Sequence, residues 1–139
     1  VLDKRNSKEV PRHLDALIYN INYSNADKRL ALPTANGFEF ISISDVVRCE
    51  SSDNYTYFHL KDRSKLLVSR TLLEFERLLA NYYFFRIHQS HLVNLRMVKS
   101  YQKGDGGSIT MTDNSEVEVS RRKKAELIQV MSEFAILPG

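Results

Sequence analysis

Turn-forming residues break positions 30–120 into short runs, and this spacing constrains the fold more than any other feature of the chain. Asn36-Gly37, Asp53-Asn54, Lys61-Asp62-Arg63, Gly104-Asp105-Gly106-Gly107 and Asp113-Asn114 stand where a backbone reverses or takes positive φ at little cost. Tyr55, Tyr57 and His59 alternate with Thr56, Phe58 and Leu60, the two-residue period of a strand. Runs this short exclude long helices, and strands joined by tight turns pair antiparallel. Strands are expected at 30–34, 38–41, 46–51, 55–60, 65–69, 84–87, 97–102, 108–112 and 116–119. The segment Ser90 to Asn94 reads as a tight turn or one helical turn, and the glycines at 104–107 as a flexible hairpin tip.

Helices are few. Thr71 followed by Glu74 has capping-box spacing, with Leu72, Phe75, Leu78 and Leu79 as the buried face. Ser120 is a suitable N-cap for a last helix carrying Leu127, Ile128, Met131 and Phe134 on one side. Before the β-rich part, Leu14, Leu17, Ile18 and Ile21 follow Pro11 at helical spacing. The fold class is therefore mainly β, with antiparallel sheets and short flanking helices.

Composition narrows the function. No apolar run approaches the ~20 residues of a membrane span, and one cysteine, Cys49, excludes an internal disulfide, which fits the cytoplasm. The net charge of +3 says little alone, but its distribution says more. Cations and carboxylates nearly balance between residues 31 and 120, whereas Arg121, Arg122, Lys123 and Lys124 are contiguous. Such a cluster either neutralises phosphates or forms a solvated helix start.

Nothing assembles an active site. The glycines at 104–107 precede no Lys-Ser/Thr pair, no nucleophile stands with a base and its orienting partner, and Cys49 reads as a buried structural thiol. His88-Gln89-Ser90-His91 is the best metal candidate, but zinc needs about two further ligands, so no metal or other cofactor is expected. Exposed Tyr55, Tyr57 and Phe58 would suit single-strand RNA. A protein-interaction β module and a small histidine-based metal protein also stay open on these residues.

Four segments carry a resemblance. Phe84-Phe85-Arg86-Ile87-His88-Gln89-Ser90-His91-Leu92-Val93-Asn94 resembles the signature of the LytTR family of bacterial DNA-binding domains. Val46 to Tyr55, Ser69-Arg70-Thr71-Leu72 with Glu76, and Val119-Ser120-Arg121-Arg122 resemble its other elements in the same order. The likeness runs from about residue 30 to about residue 131. It implies an elongated stack of small antiparallel sheets and no catalytic activity. It also implies double-stranded DNA binding as the output domain of a LytR/AlgR-type two-component response regulator, its loops entering successive major grooves. Paired sites and a homodimer on them follow, with an upstream histidine kinase acting through a receiver domain. Residues 1–29 would then be a linker with an N-terminal helix, the remnant after a receiver this chain does not include, and residues 30–139 the DNA-binding domain.

Carried over position by position, the resemblance places DNA contacts at Asn54, Tyr55 and Thr56, at Gln89, and at Arg122, with Arg121 and Lys123 on phosphates. An amide such as Gln89 suits adenine and a guanidinium suits guanine. The start of the last helix favours a phosphate. Arg86 either pairs with a carboxylate or touches a phosphate. Two residues depart from the commoner pattern: Gln89 stands where a basic residue is frequent, and His91 where Tyr or Phe is usual.

Overall fold

The computed structural model describes residues 28–133. The helix expected from Pro11 and the apolar residue Phe134 lie outside them. Among these residues, ten strands form three antiparallel sheets. The hairpin β1 (Arg29–Thr34) and β2 (Gly37–Ser42) is one. The largest contains β3 (Val46–Ser52), β4 (Tyr55–Leu60), β5 (Lys65–Val68), β6 (Phe84–His88) and β7 (His91–Asn94), in the order β5-β4-β3-β7-β6. The third is β8 (Val98–Gln102), β9 (Ser108–Met111) and β10 (Glu116–Glu118). Helices α1 (Leu72–Leu78) and α2 (Lys124–Met131) flank them.

The five-stranded sheet is the middle layer because both its faces are apolar. Cys49, Phe58, Val68, Phe84 and Leu92 pack with Leu32 of the hairpin and with Leu72, Phe75 and Leu79 on and just after α1. Val47, Ile87 and Val93 pack on the opposite side with Ile109, Met111 and Val117 of the third sheet and Leu127 of α2. The expected stack of small antiparallel sheets is observed.

Several local expectations change. His91–Asn94 is a strand hydrogen-bonded to both β3 and β6, rather than a turn. Leu92, Val93 and Asn94 are buried there, and Asn94 donates to the Val46 carbonyl (2.9 Å) while accepting from Arg96 N–H (3.1 Å). In the first hairpin Thr34 pairs with Gly37, so Ala35-Asn36 forms the loop and Gly37 (φ 136°) opens β2. The capping box forms as expected, with Thr71 N–H on Glu74 (3.1 Å) and Glu74 N–H on Thr71 (3.4 Å). Leu78 and Ile128, expected in the core, are exposed because each lies off the stripe its helix buries.

Candidate nucleic-acid interface

Strand order brings the expected contact segments to one end of the middle sheet. The Asp53-Asn54 turn joins β3 to β4, and the Gln89-Ser90 turn joins β6 to β7. Because β3 pairs with β7, these turns are neighbours, and Ser51 N–H donates to the Ser90 carbonyl (2.9 Å). The basic run is fixed beside them, since Ser120 N–H donates to the Ile87 carbonyl at 2.8 Å. The order across this end is thus Asn54 and Tyr55, then Gln89, then Arg121 to Lys123.

Each segment has a specific support. Asp53 takes φ 54° to make its turn, which leaves Asn54 exposed and Tyr55 48% exposed. Thr56 does not belong with them: its side chain is fully buried and donates to the Arg70 carbonyl at 2.8 Å. Alternation along β4 turns it inward, away from any ligand at the sheet end. Gln89 is exposed on a braced turn. Arg86 donates to Glu76 (2.7 Å) and to the carbonyls of His88 and Gln89, while Ser90 N–H donates to His88 Nδ1 (3.1 Å). Arg86 therefore pairs with a carboxylate and holds the turn, one of the two roles its sequence left open.

The basic run is divided in role. Arg121–Lys123 forms a short 3-10 turn, and α2 begins only at Lys124, so Ser120 precedes the 3-10 turn without a side-chain cap. Arg121 meets Asp105 at 3.3 Å. Lys123 meets Glu126 at 3.6 Å, and its ammonium lies 5.5 Å from the Phe85 ring centre. Arg122 is exposed and has no carboxylate within ion-pair distance among the described residues. Nor is the glycine tip loose. Gly106 is buried against Val119 and Arg121, its carbonyl accepts from Tyr101 Oη (3.2 Å), and Val119 N–H donates to Gly107 (3.0 Å).

Behind the turns lies a titratable cluster. His59 Nε2 is 3.0 Å from Glu50, whose other partner is Arg48 at 3.5 Å, and Arg48 reaches on to Ser115 (3.2 Å). Burial and then Arg48 hold His59 below its ordinary 6.5 despite Glu50. Burial also lowers His91, against the pull of Glu50. Burial alone would raise Glu50, but the hydrogen bond from His59 and the charge of Arg48 lower it. A depressed histidine leaves the unfolded chain with more bound protons just below 6.5, so its stabilisation is present above that pH and lost as pH falls. The Glu50 contribution is present above 4.5 and is lost on further acidification. The urea midpoint is expected to fall between about pH 7 and about pH 5. A flat profile over that range would contradict this reading.

The His88 and His91 rings lie 5.4 Å apart across the β6–β7 turn, and no three His, Cys, Asp or Glu among the described residues gather as a metal site. Cys49 is buried, and burial pushes its thiol far up, as expected of a structural residue.

Residues 36–132 match the family model of the LytTr DNA-binding domain. The chain belongs to the LytTR family. It is 28% identical over 105 residues to the sensory transduction protein LytT of Bacillus subtilis (strain 168). That match covers 74% of this chain and 43% of LytT, so the chain spans less than half of that curated relative. The fold resembles a solved structure described as the LytTr DNA-binding domain of a putative methyl-accepting/DNA response regulator from Bacillus cereus, with a TM-score of 0.66 and 24% identity over 76% of this chain and 97% of that one. Within this LytTR domain, sequence reasoning left Arg86 without a named carboxylate partner, which is Glu76, and missed the docking of Gly106. The first needed the ten-residue separation closed by α1 and β6. The second left no signal, because a glycine tip reads the same whether loose or docked.

Proposed function

We propose that this LytTR domain binds double-stranded DNA sequence-specifically, as the output domain of a bacterial transcriptional response regulator acting in the cytoplasm. The observation that carries the reading is the row of exposed, unlike donors along one sheet end: Asn54 and Tyr55, Gln89, and Arg122. Turns on a rigid sheet place side chains better than a mobile loop would. An amide and a guanidinium in such a row suit adenine and guanine edges in the major groove. Arg121 and Lys123 already have weak, exposed carboxylate partners, so exchanging these for phosphates costs little. The turns enter successive grooves of paired sites, where two copies of the domain sit as a homodimer. Phosphorylation of a receiver domain by a histidine kinase supplies the input. No helix among the described residues is long and apolar enough to cross a membrane.

Selection from random duplexes at near-physiological salt tests the reading. A repeated motif spaced by about one or two helical turns is expected. On the selected site, Arg122→Ala is expected to weaken binding by ~1–3 kcal/mol and to relax preference at one base pair, with thermal unfolding unchanged. Gln89→Ala should act likewise at another base pair. Recovery of no motif, with retention abolished by modest salt, would overturn sequence-specific reading.

A further inference from the structure

Thr56 is a polar residue in an otherwise apolar layer. Its neighbours on that face include Phe58 and Val68, and it is fully buried. A buried hydroxyl is tolerated when it is hydrogen-bonded, and its acceptor here is the backbone carbonyl of Arg70 at 2.8 Å. Arg70 stands two residues beyond Val68, which pairs with Thr56, so it leaves β5 at the sheet end that carries Asn54 and Tyr55.

The backbone around Arg70 is anchored on each side. Ser69 N–H donates to the Pro33 carbonyl (3.0 Å), and Thr71 N–H donates to Glu74 (3.1 Å). Glu74, the nearest carboxylate in sequence, is thereby engaged in the capping box rather than with Arg70. The Arg70 side chain is exposed, and among the described residues its guanidinium donates one hydrogen bond, to the Ser69 carbonyl (2.9 Å), and has no ion-pair partner. An exposed cation with no carboxylate partner among the described residues, on an anchored backbone beside two proposed contact residues, is arranged to meet an anion.

We propose that Arg70 contacts a DNA phosphate at the outer flank of this interface, and that Thr56 is a positioning residue that holds Arg70 through its carbonyl. The inference rests on the duplex-binding reading above and extends the interface across β4 to the end of β5. Phosphate contacts fix register without reading sequence, and each releases counterions.

The test is duplex binding by the full 139-residue chain over a range of salt concentrations, on a selected and a scrambled site. Arg70→Ala is expected to weaken both by the same factor, roughly three- to tenfold, and to reduce the slope of log K against log salt by about 0.9. Arg70→Lys should keep most of that slope, and Arg77→Ala, which removes an exposed cation from α1, should leave it at the wild-type value. Thr56→Val should weaken binding in the wild-type background but not in the Arg70→Ala background, while Thr56→Ser, which keeps the hydroxyl, should bind as wild type. Unchanged affinity and slope in Arg70→Ala, with a wild type that binds, would overturn this proposal alone. So would a loss confined to one base pair, or equal losses from Thr56→Val in both backgrounds. A wild type that retains no duplex at any salt would overturn the underlying reading as well.

Discussion

Replacing Phe58 with Ala is expected to destabilise the domain by about 3–5 kcal/mol, the range for truncating a fully buried aromatic. Phe58 has no exposed surface, and its ring meets that of Phe75 edge-on, with centroids 4.7 Å apart at 82°. It pairs with Cys49 on one side and Leu66 on the other, so the void would open where β3, β4, β5 and α1 converge. These strands leave little room to collapse, because their register is fixed by turns at Asp53 and Arg63 that take positive φ. For a domain of this size the loss is a large part of ~5–15 kcal/mol of total stability. Urea unfolding should show a lower midpoint at nearly constant slope. Phe58→Leu, which conserves more volume, should cost far less. A change below about 1 kcal/mol in Phe58→Ala would show that this layer repacks, contrary to an interlocked core.

Replacing Gly106 with Ala is expected to affect both stability and binding. A Cβ there would overlap the Val119 carbonyl oxygen and stand 3.0 Å from Arg121 N. Both are backbone atoms, so relief requires the β8–β9 tip to lift from the strand that leads into the basic run. The bonds from Tyr101 to Gly106 and from Val119 to Gly107 would weaken together. Overpacking of this kind costs about 2–3 kcal/mol. The segment released is the one that places Arg122, so duplex affinity should fall beyond the loss of folded protein. Gly104→Ala is the control: its Cβ would find nothing closer than the Gly107 Cα at 3.6 Å, and stability should change by no more than about 0.5 kcal/mol. Equal effects at the two glycines would refute the docking argument.

Both variants mark where sequence reading stopped. The turns at Asp53-Asn54 and Asp113-Asn114 were legible because their backbone demands are local, and Asp53 and Asn114 indeed carry positive φ. The Thr71–Glu74 cap was legible for the same reason. Strand β7 was not. A strand buried on both faces shows no polar alternation, so Leu92-Val93 looked like part of a turn. Thr56 was placed among the contact residues by the family resemblance. The pleat faces it inward, and only the return of β5 gives its hydroxyl a partner.

By itself, the sequence determined an antiparallel, mainly β chain with a helix capped at Thr71 and a run of four contiguous cations at 121–124. Those properties are local: they depend on residues a few positions apart, through φ preferences, side-chain period and capping. The tertiary structure alone decided that β7 enters between β3 and β6, and so made the Asn54 and Gln89 turns neighbours. It alone placed the basic run against β6 and, among the described residues, left Arg122 without a carboxylate partner while Arg121 and Lys123 have one. Those outcomes depend on hydrogen bonds and packing between segments tens of residues apart. Their partners are chosen by which faces the whole chain buries, and no local pattern encodes that choice.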